Sequence, residues 1–202
     1  MDQSLNAIQT NRTKAETSLK KIASGTRLVS AGEDPTATSI SAQLRSDITA
    51  LSQAVNNIES GKNFIRSAEG GLSSISDLIA RGRELALQAA NGTLGDTERQ
   101  TINQEFTAIK DEIDRISQSS EFNGQKLLNG DLAPDSTTRI DIQAGTGSST
   151  ADRINLNVVE NTGTESLGIS GEDVSTAEGA LKAFDALGNA AGRINSIRGQ
   201  VG

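Results

Sequence analysis

Residues 36–90 read TATSISAQLRSDITALSQAVNNIESGKNFIRSAEGGLSSISDLIARGRELALQAA, and their apolar rhythm decides the fold. Ile40, Leu44, Ile48, Leu51, Val55, Ile58, Ile65, Ala68, Leu72, Ile75 and Ile79 recur at steps of mostly three and four, with only the place near Gly61-Lys62 unfilled. A repeat near 3.5 residues keeps one stripe of a helix turned to the same side, so this seam predicts coiled-coil-like packing. At about 1.5 Å per residue the helix over 36–90 would be roughly 80 Å long. A lone domain of this size needs no such rod; it calls for partners along its length.

Upstream, Asp34-Pro35 reads as the start of that helix. Asp34 can cap free N–H groups, and proline at the first helical position forfeits no hydrogen bond. A first helix is predicted over Ser4–Val29, where Leu5, Ile8, Ala15, Leu19, Ile22 and Val29 mark the seam and Arg12 and Thr26 fill two of its places. The loop Ser30-Ala31-Gly32-Glu33 ends it. So thin a seam makes an isolated helix marginal in water, so this segment should be disordered or weakly helical until it assembles.

Downstream, Asn91-Gly92 is read as a left-handed helix stop. Asp96 is expected to cap a third helix, with Glu98 in its first turn. Ile102, Phe106, Ile109, Ile113 and Ile116 form its seam, and the short loop should fold it back antiparallel. Ile109 and Ile113 should be core, whereas Asn103 and Lys110 should be dispensable. The helix ends near Ser119-Ser120, and Asn123-Gly124 makes a turn. The period then changes to two: Ile140, Ile142 and Ala144, then Ile154, Leu156 and Val158, alternate with polar residues on either side of a loose glycine-rich loop, predicting a β-hairpin with one apolar face. A polar linker runs to about Asp173. A last helix follows from about Ser175, with Leu181, Phe184, Leu187, Ala191, Ile194, Ile197 and Val201 on or near one face. No cap follows Val201-Gly202, so the sequence reads as a partial chain.

The fold class is therefore mainly α: a long antiparallel, coiled-coil-like helical bundle with a small β-hairpin. Four segments are expected: 1–35, an N-terminal helix and connection; 36–130, a long helical hairpin; 131–173, the β-hairpin and linker; and 174–202, the first part of a C-terminal helix.

Composition narrows function by exclusion. Only 34% of the 202 residues are hydrophobic and 2% aromatic, which suits helices burying narrow stripes. A net charge of -7 argues against nucleic-acid and anionic-membrane partners. With no Cys and no His, thiol nucleophiles, histidine triads, disulfides and the usual zinc sites are excluded. The N-terminus lacks the basic and apolar regions of a Sec signal peptide, and no apolar run is long enough to span a membrane. Asp111, Glu112 and Asp114 do not have the spacing of a calcium loop, and Asp111–Arg115 and Glu112–Arg115 read as solvated helical pairs. Gly145-Thr146-Gly147 lacks the Lys-Ser/Thr and the helix of a phosphate loop. No base–nucleophile motif stands out, and no cofactor or metal is expected. The reading is of a protein that is not an enzyme.

The order of these pieces resembles the core of bacterial flagellin over some 180 residues. Lys21-Ile22-Ala23-Ser24-Gly25-Thr26-Arg27-Leu28 resembles the family's N-terminal motif. Ser67-Ala68-Glu69-Gly70-Gly71-Leu72 resembles its Thr-Glu-Gly-Ala-Leu, and Arg81–Asn91, Glu121–Gly130 and Glu165-Ser166-Leu167-Gly168-Ile169 follow in sequence. Arg198-Gly199-Gln200-Val201-Gly202 resembles the start of the family's C-terminal half. The variable outer domains and the terminal C-terminal helix have no counterpart here. Gly32-Glu33-Asp34-Pro35 and Asn91-Gly92-Thr93-Leu94 lean toward a relative, the hook–filament junction protein, while Glu121-Phe122-Asn123-Gly124 leans back to flagellin and weighs more.

The resemblance implies a structural subunit of the flagellar filament that self-assembles for motility. It implies type III export with an export chaperone, filament cap and junction proteins as neighbours, and a secreted, extracellular location. A coiled-coil adaptor forming closed dimers is the rival from another class. The resemblance also matches Arg81, Leu85 and Glu105 to positions contacted by Toll-like receptor 5, on a surface expected to be shared with subunit packing. The plain alternative is a solvated Arg, a seam Leu and a surface Glu.

Overall fold

A computed structural model of the chain describes residues 2–25 and 34–201. It divides into two compact units, up to Gln53 and from Ala54 onward. The helices are α1 (Asp2–Ser24), α2 (Pro35–Ala90) and α3 (Asp96–Ser119). Two small antiparallel hairpins follow, β1 (Glu121–Phe122) with β2 (Gln125–Lys126) and β3 (Asp141–Gln143) with β4 (Arg153–Asn155). A single turn, α4 (Thr164–Leu167), and a long helix, α5 (Ala177–Val201), complete the order.

In the first unit, α1 ends at Ser24, where Gly25 takes a left-handed φ of 64°. Glycine meets that conformation without the Cβ clash other residues incur, so the helix stops short of the expected Val29; residues 26–33 and the loop placed there lie outside the described residues. The start of α2 is as the sequence reads it: Pro35 is its first residue, and the Asp34 carboxylate accepts from the Ala37 N–H at 2.9 Å.

The end of α2 is a correction. Neither Asn91 nor Gly92 takes a positive φ, so there is no left-handed stop. Instead the nearly buried Arg99 of α3 donates from Nε to the Ala89 carbonyl at 2.9 Å and from Nη2 to the Asn91 carbonyl at 3.0 Å. An arginine thus satisfies carbonyls the helix leaves free, and its charge sits at the negative end of the dipole. The N-cap of α3 is Gly95, not Asp96, which lies just inside the first turn with Glu98. Its acidic side chain still opposes the dipole favourably.

The second unit has one continuous core. Leu72, Ile75, Ile79 and Leu85 of α2 meet Ile102, Phe106, Ile109 and Ile113 of α3. Ala180, Ala183, Leu187, Ala190, Ile194, Ile197 and Val201 of α5 join the same core. The stripe of α5 runs through small alanines that the apolar pattern passed over, while Leu181, expected on or near the seam, is exposed. Small residues let helices approach closely: a Cβ on Gly82 would stand 3.4 Å from Leu187 and 3.5 Å from Phe106.

The segment after α3 contributes more core than its polar sequence suggests. Asn123 and Gly124, with φ of 50° and 79°, make the tight turn between β1 and β2. Phe122 then meets Phe64 edge-on at 5.8 Å. Leu127, Leu128 and Leu132 are fully buried. Where the α2 seam lacks an apolar residue, at Gly61, the Ile142 side chain of β3 packs in.

The β3–β4 hairpin has the expected pairing, Ile142 opposite Ile154. Its single apolar face does not hold: Ile154 is half exposed, and the buried residues are Leu156, Asn157 and Val159. Asn157 replaces a hydrophobic contact with a hub. Its Oδ1 accepts from the Ile140 N–H at 2.9 Å, and its Nδ2 donates to the Thr138 carbonyl at 2.6 Å. The loop is tied rather than loose: Gln143 Nε2 donates to the Gly145 and Gly147 carbonyls, each at 2.8 Å.

The linker is likewise ordered. Thr162, Thr164, Leu167, Ile169 and Val174 are buried within it. The Asp114 carboxylate, read as solvated, accepts from both the N–H and the hydroxyl of Thr164 at 2.7 Å. Asn103 accepts from the Val174 N–H at 2.9 Å, and Lys110 Nζ donates to the Ser170 and Glu172 carbonyls at 3.0 and 2.7 Å. Asn103 and Lys110 are therefore linker anchors rather than dispensable surface residues.

Candidate interaction surfaces

Two surfaces stand out, one apolar and one charged. In the first unit, Leu5, Ile8, Leu19 and Ile22 of α1 and Ile40, Leu44, Ile48 and Leu51 of α2 are all between 53% and 78% exposed. These are the large side chains of the seam that the sequence places in contact. A scattered exposed leucine is ordinary, but rows at helical spacing along two helices are not. Val55 continues the row at the start of the second unit, and by Ala68 and Leu72 the seam is closed by core neighbours.

The charged surface is built from α2 and α3. Arg81 reaches across to Glu105 with two donors, Nε at 3.1 Å and Nη2 at 2.7 Å, both to Oε1, while Nη1 bonds Glu84 Oε2 at 3.0 Å. Glu105 first, and Glu84 after it, push the Arg81 pKa upward, so the guanidinium stays charged at any ordinary pH. All three side chains are half exposed or more, so water screens the cluster and its stabilising effect is small.

The structure brings Arg81 and Glu105 together and separates Leu85 from them. Leu85 is 1% exposed and belongs to the core. Arg81 and Leu85 lie four apart on the helix, but the burial boundary runs between them around the helix: Leu85 shares the covered face with Ile75, Ile79 and Gly82, and Arg81 lies at its edge. Two residues from each, Arg83 lays its guanidinium over the Phe184 ring of α5 at 4.5 Å, a contact the sequence pattern gives no sign of.

Elsewhere the polar groups are engaged in holding the fold. Arg115 pairs with Glu112 through two donors, at 2.7 and 2.6 Å, and that hydrogen bonding lowers the Glu112 pKa. Lys126 does the same for Glu121 across the β1–β2 hairpin. A polar groove is lined by Asp114, Gln118, Asn129, Asn161 and Glu165, but both Asp114 oxygens are committed to Thr164. Among the described residues no three carboxylates gather as a metal site, and no helix is long and apolar enough to cross a membrane.

A mainly helical chain whose seams are partly filled from within and partly left open defines a packing protein, one of a class built to associate through helices. The chain belongs to the bacterial flagellin family, a family of structural proteins: residues 2–133 match the model of the bacterial flagellin N-terminal helical region. A flagellar filament 30.7 kDa core protein of Treponema maltophilum is 32% identical over 95% of this chain and 70% of its own length. Bacillus subtilis flagellin is 35% identical over 86% of this chain, which spans only 58% of that protein. The crystal structure of Bacillus cereus flagellin superposes at a TM-score of 0.60, with 28% identity, over 73% of this chain and 81% of that one.

Proposed function

We propose that this chain is a structural subunit of the flagellar filament, working by self-association. The observation that carries the reading is the open apolar row Leu5, Ile8, Leu19, Ile22, Ile40, Leu44, Ile48 and Leu51, whose side chains stand in water. Burying a leucine or isoleucine is worth about 1.5–3 kcal/mol against leaving it exposed. A row of eight gives an assembled state a large advantage, and repetition along a polymer multiplies weak contacts. Contacts of this kind are heterologous and open, unlike those of a closed adaptor dimer.

The finer partners follow from family membership. Export would run through the flagellar type III apparatus, with an export chaperone covering an apolar seam, and the product would be extracellular with cap and junction proteins at the filament ends. Arg81 and Glu105 are assigned to a surface shared between subunit packing and recognition by Toll-like receptor 5. Leu85 supports that surface from the core rather than touching a partner.

Electron microscopy of the full-length protein under assembly conditions tests the reading. Filaments should form with the natural sequence and fail with Leu44→Asp or Ile48→Asp. Closed dimers in place of filaments would favour the adaptor.

A further inference from the structure

Three Asn-Gly pairs occur in the chain: Asn91-Gly92, Asn123-Gly124 and Asn129-Gly130. Each carries the same latent chemistry. The glycine amide nitrogen, unhindered by a side chain, can attack the asparagine Cγ. The new N–Cγ bond forms as the Cγ–Nδ2 bond breaks, and ammonia leaves with the amide proton. Water then opens the resulting five-membered succinimide at either carbonyl. One opening gives aspartate; the other gives isoaspartate, in which the main chain runs through Cβ. Three identical sequences have similar intrinsic reactivity, so their surroundings decide which reacts.

The surroundings differ. Asn91 has its Oδ1 fixed by the Thr93 N–H at 3.1 Å and the Thr93 hydroxyl at 3.0 Å. Asn129 is held at both ends: Oδ1 accepts from the Asp131 N–H at 3.0 Å and Nδ2 donates to the Asp131 carboxylate at 2.9 Å. Its glycine is also crowded, since a Cβ on Gly130 would lie 3.1 Å from Asn161. Asn123 is exposed, its side-chain amide makes no hydrogen bond among the described residues, and its glycine, like Gly92, has nothing within 4 Å of where a Cβ would be. The turn joins strands of only two residues each, and a pairing that short opens readily. Opening supplies the backbone rotation that cyclisation needs and the left-handed turn itself withholds.

We propose that Asn123 is the chain's site of spontaneous deamidation, and that the side-chain hydrogen bonds at Asn91 and Asn129 protect those two. The product matters locally. A new carboxylate appears two residues from Glu121, which already pairs with Lys126 at 2.8 Å. Isoaspartate adds a backbone atom to a two-residue turn, which breaks the register of Phe122 with Gln125 and loosens the Phe122–Phe64 contact.

The test is a time course of the whole chain in warm, mildly alkaline buffer, followed by peptide-mass mapping of all three pairs. In the folded protein the amide-to-acid mass gain should appear at Asn123 several-fold faster than at Asn91 or Asn129, and both acid isomers should be separable there. In the same chain unfolded in guanidinium, the three sites should react at similar rates. Faster loss at Asn91 or Asn129 in the folded chain overturns the proposal. So does a ranking that survives unfolding, because the protection would then not come from the turns.

Discussion

The two halves of α2 carry the same apolar rhythm and meet opposite fates. Ile40, Leu44, Ile48 and Leu51 are more than half exposed, whereas Ala68, Leu72, Ile75 and Ile79 are at most 1% exposed. Nothing in the spacing distinguishes them. The later stretch is covered by α3, by α5 and by the leucines at 127, 128 and 132, all elements of the same unit. Periodicity therefore specifies that a face will be buried, and the rest of the chain decides whether the partner lies inside the molecule or in another one.

The contrast breaks most visibly under a buried charge. Ile75→Asp places a carboxylate with no partner in the core and should cost several kcal/mol in a thermal or denaturant melt of the monomer. Leu44→Asp should change monomer stability by no more than about 0.5 kcal/mol. If the two variants melt alike, the seam of α2 is not divided as described. A smaller effect sharpens the comparison at the charged surface. Leu85→Ala should lose about 2–5 kcal/mol of stability through a core cavity, whereas Arg81→Ala should lose less than about 1 kcal/mol from an exposed pair. A Leu85→Ala protein as stable as its parent would return that leucine to the surface.

The smallest effect separates neighbouring glycines of α2. A Cβ on Gly71 would stand 2.6 Å from a methyl of the buried Leu128, while a Cβ on Gly70 meets nothing within 4 Å. Gly70→Ala should stabilise the helix by up to about 1 kcal/mol. Gly71→Ala makes the same gain but overpacks the core by about 1–3 kcal/mol, so it should come out destabilising. A Gly71→Ala protein as stable as the Gly70→Ala one would mean that the segment at 120–133 is not seated on α2.

Much of this was legible in the sequence, for reasons that also explain the rest. The helices α2, α3 and α5 and the β3–β4 pairing follow from periods of 3.5 and 2, which are local and need no knowledge of neighbours. Asp34-Pro35 and the Asn123-Gly124 turn follow from side chains acting on their own backbone. The end of α2 falls at Ala90 as the sequence places it, but not by a left-handed stop: its cap comes through space, from Arg99 in the next helix. The linker was misread because Asp114, Asn103 and Lys110 bind its backbone from α3, and a polar residue looks the same in sequence whether it faces water or a buried amide. The burial boundary between Arg81 and Leu85 depends on where α3 and α5 lie, which the spacing of two residues on one helix does not encode.

The chain has no cysteine, so a single introduced thiol reports on one position alone. Assembly as a filament should bury the open row of α2, and thiol labelling of Leu44→Cys in monomer and in filament reads that burial, with Ile75→Cys as the buried reference. Leu44→Cys should label rapidly in the monomer and become strongly protected in the filament, while Ile75→Cys should be protected in both. Equally fast labelling of Leu44→Cys in the two states would mean that assembly leaves this row in water.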